Sequence, residues 1–167
     1  MGKYRYSFLP IGINIEGRRI VIAGGGNVAL HKASILSAYT ENVTVVSPEF
    51  RTGFEELGFT LVRSELRPEH LEGAWLLYAC TGDSAVNRQI RALAHERGIL
   101  VSVCDSPSEC DFISPAVFRD GCMTVAVGSD SRDVRRSIRV RDRVRELAGQ
   151  GLFGADLGIG KEGLEGK

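Results

Sequence analysis

A glycine-rich turn near the start of the chain has the spacing that phosphate binding requires. Residues 18–23 (RRIVIA) read as a buried strand, and Gly24, Gly26 and Ala29 then fit the pattern G-x-G-x-x-G/A. Gly24 would make the tight turn, Gly26 would let the backbone approach a pyrophosphate, and Ala29 would let the next helix pack closely. The unpaired N–H groups at that helix start favour an anion. Because a second strand follows at the expected distance, we predict a dinucleotide site.

One carboxylate lies where the chemistry of such a site would need a proton acceptor. Asp105 follows the short predicted strand 100–103, at the edge of the predicted sheet where folds of this kind place their ligands. A carboxylate there can take a proton while a hydride leaves the substrate. An aspartate that caps the turn at Ser106 and Pro107 is the other interpretation, and residue chemistry alone favours the cap.

A hydroxyl side chain ends the neighbouring strand at the same edge. Thr81 follows the apolar run 75–80 and would lie beside the crevice, in reach of the cofactor or the substrate. Thr81 could equally cap the next helix together with Asp83. Both interpretations stay open from the residues alone.

Alternating strands and helices must position these residues. Buried β-branched runs predict parallel strands, and the amphipathic segments between them predict helices. The predicted order is a strand at 18–23, a helix at 27–39, strands at 43–46, 59–62 and 75–80, a helix at 83–97 with Val86, Ile90, Leu93 and Ala94 inward, and a strand at 100–103. This order is typical of the α/β class, with a Rossmann-type doubly wound parallel sheet.

The pattern changes after Asp105. Apolar runs at 117–118 and 123–127 flank Asp120-Gly121, which predicts a β-hairpin, and a helix follows from about Asp133. We therefore predict three parts: an NAD-binding Rossmann domain at 1–110, a hairpin and helix region for dimerisation or substrate binding at 111–148, and a flexible glycine-rich tail at 149–167.

Composition excludes several classes of function. The 167 residues are 43% hydrophobic and 25% charged, with a formal net charge of +0, so nothing global indicates binding to nucleic acid or to a membrane surface. The basic start of the chain lacks the apolar stretch of a secretory signal, and we expect a cytoplasmic protein.

The four cysteines lack C-x-x-C pairs, so we expect free thiols rather than disulfides or zinc. No histidine has a second ligand at metal spacing, and we predict no metal site.

Seven short segments carry a resemblance to a known family. They are Leu9-Pro10, Gly24-Gly25-Gly26-Asn27-Val28-Ala29, Val45-Val46-Ser47-Pro48-Glu49, Ala79-Cys80-Thr81-Gly82-Asp83, Val103-Cys104-Asp105-Ser106-Pro107, Phe112-Ile113-Ser114-Pro115-Ala116 and Met123-Thr124-Val125-Ala126-Val127. In order and spacing they resemble the precorrin-2 dehydrogenase and sirohydrochlorin ferrochelatase family, the N-terminal part of sirohaem synthases. The resemblance covers roughly residues 8–146.

The resemblance implies an oxidoreductase that acts as a homodimer. Its reaction would be the NAD-dependent oxidation of precorrin-2, a tetrapyrrole, to sirohydrochlorin, with Asp105 as the catalytic residue. Some members also insert ferrous iron, so a bifunctional dehydrogenase and ferrochelatase is an alternative. A regulatory domain that senses NAD without chemistry is an alternative from another class.

The resemblance also implies cofactor contacts. They would come from Asn27 and Val28 at the helix start and from Pro48 and Glu49 after the second strand. Dinucleotide folds place an acidic residue at that strand tip to hold the ribose hydroxyls, whereas here Ser47 occupies the tip. Arg51 could instead meet a 2′-phosphate, and we favour NAD over NADP.

Substrate contacts are expected from the C-terminal helix. Precorrin-2 carries carboxylate arms, and arginine forks suit carboxylates, which makes Arg135 and Arg139 candidates. A solvated or dimer-facing helix is an equally good interpretation for each arginine. The first serine of the segment that precedes this helix in relatives is Gly128 here, and the adjacent Ser129 is the candidate that could replace its hydroxyl.

Overall fold

The computed structural model describes residues 6–151 of the chain and divides it between Ile113 and Ser114 into two compact units. The first unit contains β1 (Arg19–Ala23), α1 (Asn27–Leu36), β2 (Val43–Val46), β3 (Thr60–Val62), β4 (Ala74–Ala79), α2 (Ser84–His95) and β5 (Leu100–Val103). The second contains β6 (Ala116–Asp120), β7 (Met123–Val127) and α3 (Val134–Gly149). The basic N-terminal residues 1–5 and residues 152–167 of the tail predicted at 149–167 lie outside the described residues.

The five strands of the first unit form one parallel sheet in the order β3-β2-β1-β4-β5. Side chains alternate along β1, so Ile20 and Ile22 pack in one cluster with α1 while Val21 and Ala23 pack in the other with α2. The two helices therefore cover opposite faces of the sheet. The predicted doubly wound α/β fold is confirmed. The strand order reverses at β1: β2 and β3 are added on one side of it, and β4 and β5 on the other.

Helix α1 is shorter than predicted because polar side chains compete for its last carbonyl groups. The sequence predicts a helix to residue 39, whereas α1 ends at Leu36. The Ser34 hydroxyl donates to the carbonyl of Leu30 at 2.9 Å, and the Ser37 hydroxyl donates to that of Ser34 at 3.0 Å. Such local bonds weaken a helix end.

The second unit packs α3 against an antiparallel hairpin of β6 and β7. The strand β6 runs on through Asp120, so the turn falls at Gly121 and Cys122, one residue later than predicted, with a positive φ of 56° at Gly121. The carboxylate of Asp133 accepts from the N–H of Arg136 at 2.8 Å and caps α3, which begins where the sequence predicts a helix.

The structure joins Cys80 and Cys104 in a disulfide, so the expectation of free thiols is wrong for this pair. The pairing follows from the sheet. Ala79 lies opposite Val103 in the β4–β5 register, and the residue that follows each strand is a cysteine, with Cα atoms 5.2 Å apart.

Within residues 6–151, none of the helices has the length and apolar character needed to cross a bilayer.

We expect two reactive thiols in the denatured chain purified without reductant, and four after reduction, because Cys110 and Cys122 are the free cysteines among the described residues. Thiol titration in denaturant with mass spectrometry measures this. Cys104→Ser should release the thiol of Cys80 and raise the unreduced count by one. Four thiols before reduction would contradict the pairing.

Candidate functional site

The carboxyl ends of β1, β2 and β4 open onto a cleft of about 1000 Å³. The glycine turn after β1 lines it together with the segment after β2, the Thr81–Gly82 loop after β4 and one side of α2. The cleft lies where the strand order reverses, which is where open α/β sheets bind their ligands.

Tight backbone packing shapes the glycine turn. Gly24 has a φ of +127°, and a Cβ there would overlap the carbonyl of Cys80. A Cβ on Gly25 would overlap the carbonyl oxygen of Glu49, whereas one on Gly26 would meet nothing within 4 Å. Gly24 therefore makes the close turn, as predicted, and Gly26 is exposed on the cleft. The packing role of Gly25 was not predicted, although a third glycine at the variable position of the pattern was a signal for it.

Helix α1 begins directly behind this turn with free backbone donors. It starts at Asn27 after Gly26, which provides no side-chain cap, and its first turn contains no acidic residue. Asn27 and Val28 are exposed and line the cleft, while Ala29 is fully buried against the sheet. This arrangement suits a phosphate group, because the helix start supplies N–H donors and a positive dipole end.

The segment after β2 closes one side of the cleft and is tied to the glycine turn. The N–H of Arg51 donates to the carbonyl of Gly25 at 2.9 Å, and the N–H of Gly24 donates to that of Val46 at 2.9 Å. Ser47 is buried beneath the turn, whereas Pro48 and Glu49 are exposed on the cleft wall. Glu49 thus presents the acidic group of this segment to the cleft.

Thr81 lines the cleft and also organises the start of α2. Its hydroxyl lies 3.0 Å from the carbonyl of Asp83 and 2.7 Å from Oδ1 of Asn87. The carboxylate of Asp83 caps the helix by accepting from the N–H groups of Ala85 and Val86 at 2.7 and 3.2 Å. The capping interpretation is therefore correct for this loop, and contact between Thr81 and a cofactor stays a prediction.

The first turn of α2 presents one side to the cleft, while Asn87 on its other side is fully buried. Val86, predicted to point inward, is 38% exposed and lines the cleft with Gln89. Ile90 and Ala94, one and two turns further on, are buried against the sheet as predicted. The inward prediction was wrong for Val86 because this side of α2 borders the cleft.

Asp105 is exposed, and both side chains that bind its carboxylate belong to α2. The Ser84 hydroxyl donates to Oδ2, and Nδ2 of Asn87 donates to Oδ1 at 3.0 Å. The hydrogen bond from Ser84 is the main cause that holds the pKa of Asp105 below its usual value. Partial burial opposes it as the second largest effect, and Asn87 and the charge of Arg88 add to the lowering. The carboxylate is therefore ionised at neutral pH. The contacts of Ser84 and Asn87 with Asp105 were not predicted from the sequence.

The remaining candidates belong to the second unit. Ser129 precedes α3, and its hydroxyl oxygen accepts from the N–H of Asp133 at 3.1 Å and from the hydroxyl of Ser137 at 3.0 Å. Arg135 and Arg139 are exposed on α3. The substrate contacts expected of these three residues stay predictions.

Comparison with known proteins identifies the first unit. A family model described as putative NAD(P)-binding matches residues 11–116. Siroheme synthase 2 of Aeromonas salmonicida is 34% identical over 149 residues, which cover 88% of this chain and 31% of the relative. A siroheme synthase of Ectopseudomonas mendocina is 36% identical over 138 residues, which cover 80% and 30%. The chain spans about a third of the length of these relatives.

A solved structure shares the fold. The protein described as SirC, precorrin-2 dehydrogenase, superposes with a TM-score of 0.70 at 21% identity, over 83% of this chain and 70% of the other. The family match covers more than half of the chain and contains the glycine turn, the uncapped start of α1 and the cleft. The chain accordingly belongs to this family of NAD(P)-binding domains.

Proposed function

We propose that the protein oxidises precorrin-2 to sirohydrochlorin with NAD as the electron acceptor. The observation that carries this proposal is a dinucleotide cleft whose rim residue Thr81 is joined through Asn87 to the ionised carboxylate of Asp105. The names of the similar siroheme synthases and of the structural neighbour support the choice of a tetrapyrrole substrate.

The residues of the cleft fit a dinucleotide. Gly26 leaves open space where a side chain would stand, and the start of α1 beside it has no side-chain cap, so its first N–H groups can donate to a phosphate. Bound NAD would accept two electrons and a proton, as a hydride, from the reduced macrocycle. Loss of a hydride leaves the macrocycle positively charged and acidic, so a weak carboxylate base suffices to take the second proton. Asp105 would take it and would stabilise the positive charge beforehand.

The second unit would bind the substrate and form the dimer contact. In this proposal Arg135, Arg139 and Ser129 bind carboxylate arms of the macrocycle, and the hairpin and α3 form a homodimer contact. Exposed apolar side chains on these elements support the dimer, among them Met123, Val134 and Ile138, which are 57%, 55% and 38% exposed. A cytoplasmic location stays a prediction from the sequence.

An anaerobic assay with enzymatically made precorrin-2 tests the proposal. NADH absorbance should rise in step with the appearance of sirohydrochlorin. Binding of NAD without turnover would overturn the proposal in favour of a nucleotide-sensing domain. Ferrous iron added to the product then tests for a ferrochelatase, and insertion no faster than in the enzyme-free control excludes that second activity.

We expect kcat/KM to be at least about tenfold higher with NAD than with NADP, a difference of roughly 1.4 kcal/mol. Glu49 is exposed on the cleft wall, where a carboxylate binds ribose hydroxyls and repels a 2′-phosphate. Glu49→Gln should lower the ratio of kcat/KM with NAD to kcat/KM with NADP. Glu55→Gln, which removes an exposed charge outside the cleft lining, should leave this ratio unchanged. A higher kcat/KM with NADP would show that Arg51 dominates instead.

A further inference from the structure

Asn87 is a fully buried polar side chain that hydrogen-bonds both to the Thr81 loop of the cleft and to Asp105. It lies on α2 with no exposed surface, four residues after the N-cap Asp83. Its Oδ1 accepts from the N–H of Thr81 at 3.0 Å and lies 2.7 Å from the Thr81 hydroxyl. Its Nδ2 donates to Oδ1 of Asp105 at 3.0 Å and lies 3.3 Å from the carbonyl of Thr81.

These contacts leave the amide of Asn87 one orientation. The backbone N–H of Thr81 can only donate, so the amide oxygen must face Thr81. The amide nitrogen then faces Asp105, and a rotated amide would set its oxygen against the carboxylate and lose both bonds. An unsatisfied buried group costs about 1–3 kcal/mol, which holds the donor in place.

A second donor fixes the other oxygen of the same carboxylate. Ser84, in the first turn of α2, donates to Oδ2 of Asp105 while Asn87 donates to Oδ1. Two donors from one helix, each on a different oxygen, determine both the position and the plane of the carboxyl group. The rest of that group stays exposed to solvent.

We propose that Asn87 and Ser84 are positioning residues that hold the Asp105 carboxylate in a fixed place relative to the Thr81 loop of the cofactor cleft. The proposal rests on the function proposed above, in which Asp105 accepts the proton. Asn87 contacts the loop and the carboxylate with opposite ends of one amide, so a shift of either end moves the other. Placement of this kind matters because misplacing a reacting group by about 1 Å can cost about 100-fold in rate.

Ser84→Ala tests the proposal at an exposed site where folding is not at risk. We expect kcat to fall by about 10-fold with an unchanged KM for NAD, and the acid limb of the kcat/KM profile to move to higher pH. Ser84→Thr keeps the hydroxyl and should restore both. An unchanged kcat and an unmoved acid limb in Ser84→Ala would overturn the role of Ser84.

Asn87→Asp tests the buried member of the pair. It keeps the shape of the side chain, removes both amide donors and sets a second carboxylate against Asp105. We expect kcat to fall by about 100-fold. Ala92→Asp is the matched control, because it adds the same charge to an exposed position of α2 outside the contacts of Asp105. Equal losses in the two variants would overturn the proposal, and circular dichroism verifies that both fold.

A readout other than turnover separates this inference from the proposed function. The ¹³C resonance of the Asp105 carboxyl, assigned by comparison with Asp105→Asn, reports its titration directly. It should titrate at higher pH in Ser84→Ala and in Asn87→Asp than in the unmodified chain, with the charge of Arg88 present in all three. If the unmodified chain does not oxidise precorrin-2, the proposed function fails while this titration still decides the contacts. An unmoved titration in both variants would overturn them.

Discussion

Asp105→Asn is expected to lower kcat for precorrin-2 oxidation by at least about 100-fold, the scale on which a general base contributes. The amide has the shape of the carboxylate and can keep one hydrogen bond to its partners on α2, but it cannot accept a proton or stabilise a cation. Dinucleotide binding should be unchanged, because Asp105 does not line the cleft. Stopped-flow NADH formation and calorimetric titration with NAD measure the two quantities.

The pH profile gives an independent test of the same carboxylate. The Ser84 hydrogen bond lowers the pKa of Asp105, so the base stays ionised as the pH falls through the usual carboxyl range near about 3.9. The acid limb of kcat/KM should therefore lie below that range and disappear in Asp105→Asn. For the same reason the charged form stabilises the folded chain above the pKa of the unfolded state, and this contribution is lost as the pH falls through the lowered pKa.

Glu96→Gln is the matched control for Asp105→Asn, because it neutralises an exposed carboxylate at the far end of α2. It should leave kcat and the pH profile unchanged. A loss of turnover in Asp105→Asn that stays below about fivefold would show that another group takes the proton.

The parallel sheet could be predicted because its strands are buried on both faces. The run 43–46 is continuously β-branched, and the run 100–103 is apolar except for Ser102; β2 and β5 match them residue for residue. The glycine pattern could be predicted for a similar reason, since a close turn and an open helix start each need a particular residue type. Features that depend on residues close together in the sequence can be predicted in this way.

Contacts that depend on the sheet register could not be predicted. Cys80 and Cys104 are 24 residues apart, and they face each other only because β4 and β5 pair with Ala79 opposite Val103. The bond from Asn87 to Asp105 likewise requires the placement of α2 against the end of β5. The sequence signal for Asn87 was a polar residue beside the apolar stripe of an amphipathic helix, which is too common a feature to indicate a contact by itself.

Gly25→Ala is expected to lower the free energy of unfolding by about 3 kcal/mol and to abolish measurable dinucleotide binding. A methyl group on Gly25 would overlap the carbonyl of Glu49 and stand 2.8 Å from the Ser47 hydroxyl. The overlapping atoms of Glu49 belong to the backbone and cannot relieve the overlap by a change of rotamer. The segment after β2 must therefore move, and the bond from Arg51 to Gly25 breaks with it. Urea denaturation and calorimetric titration with NAD measure both effects.

Gly26→Ala separates the fold from the binding of the cofactor. Gly26 has a φ of −87°, which alanine adopts freely, and its methyl group would meet nothing within 4 Å of the chain. The free energy of unfolding should stay the same or rise by up to about 1 kcal/mol, because alanine restricts the unfolded chain more than glycine does. The same methyl group would occupy the space where a pyrophosphate approaches the backbone, so the affinity for NAD should fall by at least about tenfold. Unchanged affinity would show that the phosphates bind elsewhere, whereas a stable chain with weakened binding assigns the open face of this turn to the dinucleotide.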